Sequence, residues 1–292
     1  MHVEPPCVAC VFDDLEGAIR LLVDSEDTAN QIMQQALHFV ARDYALGKVP
    51  SYYITGVHRI FKQVTGIAMP FATLRRRANE VGLRITERLV LPADPQERFR
   101  YLAGWAIAGN HLDFRTVGTG YELTIEQIYA ILENQVQQGL QVDETSAILE
   151  LVKHARRILY ILDNVGEIAF DKLLIQELQQ YAPVVSTIRG GPITSDAVME
   201  DAVQVGLDRV APLVVAGPDT LGISLDEMSQ ELREEMASAD LIIAKGQANY
   251  YVMDDYRHQA EQRIACLFST KCDPVSGNFG LRGKANIAAL LR

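Results

Sequence analysis

No run of apolar residues in this 292-residue sequence approaches the roughly 20 that a membrane-spanning helix needs. Positive charge is in short supply: 27 Lys and Arg stand against 38 Asp and Glu, a formal charge of −11. That balance argues against nucleic acid or an anionic membrane as the partner. It leaves room for a small anion, because one bound cation or one buried Lys reverses the field locally. Cysteine is scarce too. Cys7, Cys10, Cys266 and Cys272 are too few for a disulfide scaffold in a chain of this length. Cys7-Val-Ala-Cys10 has no second CxxC to complete a four-thiolate zinc site, and no βαβ pattern surrounds it. Residues 1–7 lack the basic start and apolar core of a signal peptide, so a cytoplasmic protein is expected.

The common nucleotide and hydrolase motifs are missing as well. Gly118-Thr-Gly120 is followed by Leu123 where a dinucleotide fingerprint needs its third glycine. Asn278 stands where a P-loop ending at Gly283-Lys284 needs glycine. Val165 stands where aspartate-nucleophile phosphatases carry the second Asp of Asp-x-Asp, and no G-x-S-x-G elbow exists.

What is present falls into two halves. Helical spacing of apolar residues covers 11–23, 28–46, 53–64 and 71–81. Asp94-Pro-Gln-Glu97 opens a further helix containing Trp105, with Asp as cap and Pro at the first position. Two more helices are expected over 125–138 and 145–156. From residue 158 the character changes. Apolar runs at 158–162, 184–188, 211–216, 241–244 and 264–268 alternate with amphipathic ones at 168–181, 196–205, 225–237 and 250–262. Ser224-Leu-Asp-Glu227 reads as a capping box for the third of these helices. The alternation predicts a mostly parallel sheet with helices on both faces. The boundary falls near residues 145–155.

The second half is organised around Ile158-Leu-Tyr-Ile-Leu-Asp-Asn-Val-Gly-Glu167. A continuous apolar run suits a strand covered on both faces, and ligands bind beyond the carboxyl ends of such strands. Asp163 and Asn164 stand at that end. An isolated Asp-Asn also suits a helix N-cap. The next strands, however, also end in polar or glycine chemistry: Arg189-Gly190-Gly191 through Asp196, then Gly217-Pro-Asp-Thr220, then Lys245-Gly246 through Asn249. In a parallel sheet these ends share one edge. Asp163, Asn164 and Asp196 offer hard oxygen donors that suit Mg²⁺ or Mn²⁺ with waters retained. Lys245 suits a phosphate as a point charge, and Gly190, Gly191 and Gly246 let backbone N–H groups approach an anion. A cation, a Lys and backbone donors are the parts phosphoryl transfer needs. Local pattern alone also allows Asp196 as a first-turn residue of its helix, and Lys245 as a snorkelling side chain.

Asp163-Asn-Val-Gly-Glu167, Arg189-Gly-Gly-Pro-Ile-Thr-Ser-Asp-Ala197 and Ala239-Asp-Leu-Ile-Ile-Ala-Lys-Gly-Gln-Ala-Asn249 resemble the damage-control phosphatase family, the ARMT-like metal-binding domain. Gly109-Asn-His-Leu-Asp113-Phe and the CxxC look like its microbial and archaeal branch. The resemblance covers nearly the whole chain. Ala248 departs from the usual Lys-Gly-Gln-Gly-Asn, a change that removes no ligand. The resemblance implies a multi-domain α and α/β chain. Residues 1–148 would form a helical subdomain, and 149–292 a three-layer α/β/α sandwich. It implies metal ligands Asp163, Asn164 and Asp196, with Lys245 near the phosphate. Mg²⁺, Mn²⁺, Co²⁺ or Ni²⁺ would serve as cofactor, and small phosphorylated metabolites, damaged or side-product ones included, as substrates.

Within that reading Glu167 positions the attacking water, and a hydroxide on the ion attacks, with Asp163 as direct nucleophile the alternative. Arg189, Gly190, Gly191, Gly246 and Asn249 would contact substrate. Asn110 and Asp113 share a face if their helix continues, and would touch substrate or ion-bound water. Cys7, Cys10 and Cys272 are expected to cluster, either as packed thiols or as a structural metal or disulfide site. Two other functions stay open: an S-adenosylmethionine-dependent carboxyl methyltransferase, and a non-enzymatic metal-binding interaction protein.

Overall fold

The apolar runs of the second half do join one sheet. The computed structural model describes residues 1–44, 48–113 and 123–291, so Gly118-Thr-Gly120 lies outside the described residues. The first half contains α1 (Pro5–Leu22), α2 (Glu26–Asp43), α3 (Pro50–Thr65), α4 (Ala72–Thr86), α5 (Pro95–Ala108), α6 (Ile125–Gln137), β1 (Val142–Asp143) and α7 (Thr145–His154). The second contains β2 (Ile158–Ile161), α8 (Glu167–Leu178), β3 (Val184–Ile188), α9 (Met199–Val205), β4 (Leu213–Val215), α10 (Gln230–Ser238), β5 (Leu241–Lys245), α11 (Gln247–Tyr256), β6 (Arg263–Ser269), α12 (Asp273–Gly277) and β7 (Asn286–Leu291). The strand order is β1-β7-β6-β5-β2-β3-β4, parallel except where β7 runs antiparallel to β6. From β2 the chain moves outward through β3 to β4, then returns to place β5 on the other side of β2. The crevice between β2 and β5 is therefore the topological switch point, where open α/β sheets bind their ligands.

Period-two burial explains why β2 and β5 read as unbroken apolar runs. Ile158, Tyr160, Leu241 and Ile243 enter one core, and Leu159, Ile161, Ile242 and Ala244 enter the other. Each such Leu or Ile contributes roughly 1.5–3 kcal/mol when fully buried. The first core also contains Phe99, Leu102 and Trp105 of α5, Leu132 of α6 and Ile148 of α7. So α4 to α7 cover one face of the sheet, whereas α1 to α3 pack a core of their own around Leu15, Ile32 and Phe61.

Local caps explain several ends. The Asp94 side chain accepts from the Glu97 N–H, and Pro95 begins α5. Other expected starts shift. The capping box at Ser224 does not form. α10 begins at Gln230, with the Ser229 hydroxyl accepting from the Leu232 N–H. α9 begins at Met199, so Asp196 lies in the loop before it rather than in its first turn.

Candidate metal centre and active site

Beyond β2 the chain turns sharply, and Gly166, with φ +75°, leads into α8 at Glu167. Two backbone bonds tie this turn to the loop after β3. Val165 N–H donates to Ser195 O, and Ala197 N–H donates to Asp163 O, each at 2.8 Å. Asn164 and Asp196 face each other across this bridge. Residues 30 or more apart in sequence are thereby held side by side, and neither Asp163 nor Asn164 serves as a helix cap.

Asp163 Oδ2 accepts from Asn164 Nδ2 at 2.6 Å and from Asn110 Nδ2 at 3.3 Å. Glu167 Oε2 accepts from the same two amides, at 3.4 and 3.2 Å. Asn164 Oδ1 accepts from Ser195 Oγ at 2.6 Å. Burial pushes the Asp163 carboxyl well above the usual carboxylate range, and the charges of Glu167 and Asp196 push the same way. Lys271 and Arg189 offset this only partly. The negative charges of Glu167 and Asp196 are thus felt at Asp163, and the nearby cations do not cancel them.

The donor set fits a hard divalent ion. Asp196 Oδ2 accepts from Arg189 Nε and Gly222 N, and Oδ1 from Thr194 Oγ1. A carboxylate has about four lone-pair sites, so acceptor capacity remains. A half-turn of the Asn164 amide would exchange its oxygen and nitrogen. Oδ1 would then sit beside Asp163 Oδ2, and the Ser195 hydroxyl would accept instead of donate. Two oxygens so placed repel unless a cation lies between them.

Several residues expected to meet substrate turn inward instead. Lys245 is fully buried. Its ammonium donates to Ala106 O at 2.9 Å, to Asp171 Oδ1 at 2.8 Å and to Glu167 Oε1. All three of its donors are used within the protein rather than toward the cleft. It locks Glu167 in place. Burial works against its charge, but Asp171 and Glu167 outweigh burial and hold its pKa above the ordinary value. Arg189 is buried, bound to Asp196, Leu162 O and Asn249 Oδ1. Asn249, also buried, donates to Leu162 O and Lys245 O and accepts from Ile223 N–H. Arg189 and Asn249 bind the strand ends together and make no cleft surface. The expected backbone donors are likewise taken: Gly190 N–H by Pro218 O, and Gly246 N–H by Leu267 O. Gly191 packs beside Asp219.

The helix carrying Trp105 stops at Ala108, and a 3-10 turn, Gly109–Leu112, follows. That turn brings Asn110 to Asp163 and Glu167, and leaves Asp113 bound to Lys271 Nζ at 3.1 Å. Lys271 is the functional candidate the sequence reading passed over. It follows β6, the fifth expected strand, so the rule that sites gather at strand ends reaches it too. Its side chain is 41% exposed, and it lines a cavity of about 130 Å³ with Asn110, His111, Lys284 and the amides of Gln135 and Asn286. His111 is held below its ordinary pKa by burial and by Lys284 and Lys271. A larger cavity of about 910 Å³, between α2, α3 and residues 220–227, is lined by none of Asp163, Glu167 and Asp196. The smaller one adjoins the chemistry.

Burial raises the pKa values of Cys10 and Cys272, and the nearby Cys7 thiol pushes both the same way. All are free, and no three His, Cys, Asp or Glu side chains among the described residues gather around a common metal position. The three thiols cluster as expected, without a ready-made metal position among the described residues.

A family model, the damage-control phosphatase ARMT1-like domain, matches residues 3–287. The chain belongs to this family. It is 32% identical over 286 residues to a protein of Archaeoglobus fulgidus named damage-control phosphatase, covering 96% of each chain. It is 28% identical over 278 residues to a Pyrococcus horikoshii protein of the same name, covering 94% of this chain and 93% of that one. The crystal structure of a DUF89 family protein from P. horikoshii superposes with a TM-score of 0.88 at 26% identity, over 100% of both chains. Among the described residues no helix is long and apolar enough to cross a membrane.

Proposed function

We propose that the chain is a metal-dependent phosphomonoesterase acting on small phosphorylated metabolites, damaged or side-product ones among them. The observation that carries the reading is the meeting of Asp163, Asn164 and Asp196 at the β2/β5 switch point, with Glu167 beside them. Membership of the damage-control phosphatase family supports it. These three residues would hold Mn²⁺, Mg²⁺, Co²⁺ or Ni²⁺ through hard oxygens. The bound ion supplies polarisation of the phosphoryl oxygens and an acidified water.

The chain's own residues supply the rest. Glu167 is fixed at one oxygen by Lys245 and turns the other toward Asn110 and Asn164, where it orients the attacking water. Lys271, at the mouth, takes up charge on the phosphate. The cavity beside Asn110 and Lys284 receives the remainder of the metabolite. Burial of Asp163 and Asp196 keeps competing water from the reacting centre.

The test is phosphate release from a panel of metabolite phosphates. Protein stripped with EDTA should be inactive and should recover with Mn²⁺ or Co²⁺. Asp163→Ala and Asp196→Ala should abolish activity. Turnover indifferent to chelation would overturn the metal dependence. S-adenosylmethionine binding without phosphate release would favour the methyltransferase.

A further inference from the structure

We infer that Arg75 and Asn79 of α4 are positioning residues that set the separation of Asp163 and Asp196; the inference rests on the metal-dependent reading above. The two side chains are buried and lie one helical turn apart on one face of α4. Arg75 grips the loop carrying Asp196. Its Nη1 donates to Thr194 O at 2.8 Å, its Nη2 donates to Asp196 O at 2.6 Å, and its guanidinium pairs with Asp201 near the start of α9. Asn79 grips the turn carrying Asp163. Its Oδ1 accepts from Gly166 N–H at 2.7 Å, and its Nδ2 donates to Asp201 Oδ1 at 3.2 Å. Asp201 joins the two grips, because it pairs with Arg75 and accepts from Asn79, while its Oδ2 also accepts from Val198 N–H. One rigid helix of the first half thus holds both loops that carry the acids.

The contact leaves little play. A Cβ on Gly82 of α4 would fall 2.3 Å from Gly166 O, and one on Gly166 would fall 2.9 Å from Ala78 O. α4 and the Asp163 turn therefore meet backbone to backbone. Arg75 touches neither carboxylate of the site, only the carbonyls that flank Ser195 and the acid of α9. Asn79 touches only the N–H of the turn, Asp201 and Gln204. Both act through the backbone, and what they determine is the separation of the Asp163 and Asp196 carboxylates that would hold the ion.

Metal affinity is the direct readout. Full-length protein stripped with EDTA is titrated with MnCl₂ by calorimetry, and the melting temperature of the metal-free protein is recorded in parallel. Asn79→Ala and Arg75→Lys should each weaken Mn²⁺ binding by about ten-fold or more, the usual effect of removing partners that orient ligands. Gln204→Ala removes a partner of Asn79 without touching either loop and should leave affinity unchanged. If Asn79→Ala does not fold, Asp201→Asn loosens the same grip while keeping an acceptor, and should also weaken binding. Variants that melt earlier yet bind Mn²⁺ as the wild type does overturn the inference alone. A wild-type protein that takes up none of the four ions overturns the metal-dependent reading and this inference together.

Discussion

A Cβ placed on Gly246 would fall 1.8 Å from Oδ2 of Asp163. The end of β5 thus supplies the floor on which the carboxylate at the end of β2 rests. Gly246 also has φ +79°, a conformation that favours glycine. Gly246→Ala should displace the Asp163 carboxylate, and misplacing a reacting group by about 1 Å lowers turnover on the order of 100-fold. Overpacking should also destabilise the fold by about 1–3 kcal/mol. Steady-state phosphate release and urea unfolding check both, and near-wild-type turnover would refute the contact's importance.

Lys245 separates two roles by experiment. As the partner of buried Glu167 and Asp171, its loss leaves two acids without a cation. Breaking such a buried pair costs about 3–5 kcal/mol. Lys245→Met should therefore lower the urea midpoint strongly, and activity should fall because Glu167 is released. A phosphate ligand would behave otherwise, with KM raised and stability unchanged.

His58 links α3 to α1, its Nε2 lying 2.7 Å from Asp14 Oδ2. Burial pushes its pKa down to about 4 from 6.5. The geometry explains why Asp14 does not reverse this: Nδ1 is buried and has no partner among the described residues, so a proton there would have no acceptor. The folded state binds this proton less readily than the unfolded chain does. Stability is thus fully present above about pH 6.5 and is lost as pH falls toward 4, by up to roughly 3 kcal/mol. His58→Gln keeps a donor for Asp14 and should flatten that slope in urea titrations at pH 4.5, 5.5 and 6.5. An unchanged slope would assign the acid sensitivity to other groups.

Asp163 and Asn164 were legible because β2 is buried on both faces, so its apolar run ends where the crevice begins. The fate of Lys245 was half legible. Period two places it in a row with Leu241 and Ile243, on the face that enters the core under α5 and α8. Glu167 and Asp171, four residues apart on α8, could have been read as its acids. Only the fold could show that α8 packs there. The edge strands escaped for different reasons. β1 is two residues long, too short for any period. β7, Asn-Ile-Ala-Ala-Leu-Leu, has the composition of a helix end, and its pairing with β6 decides it. The inward turn of Arg189 and Asn249 depends on the Thr220–Ile223 segment folding back over the strand ends, which no local pattern encodes.

Lys271 carries the last prediction. Its ammonium is partly exposed, meets Asp113 at the cavity mouth and from there offsets part of the rise that burial imposes on the Asp163 carboxyl. Asp113 is buried, so Lys271→Ala takes a donor from it and should cost about 1–3 kcal/mol in urea unfolding. A charged hydrogen bond to substrate is worth about 1.5–3 kcal/mol, so KM for a metabolite phosphate should rise roughly ten-fold or more. Inorganic phosphate should inhibit the variant more weakly in the same proportion, because the lost contact is to the phosphate rather than to the rest of the molecule. Lys271→Arg keeps the charge and should recover part of the loss. If KM and phosphate inhibition both stay at wild-type values in Lys271→Ala, the phosphate charge is met elsewhere, and Lys284 across the same cavity is the next cation to replace.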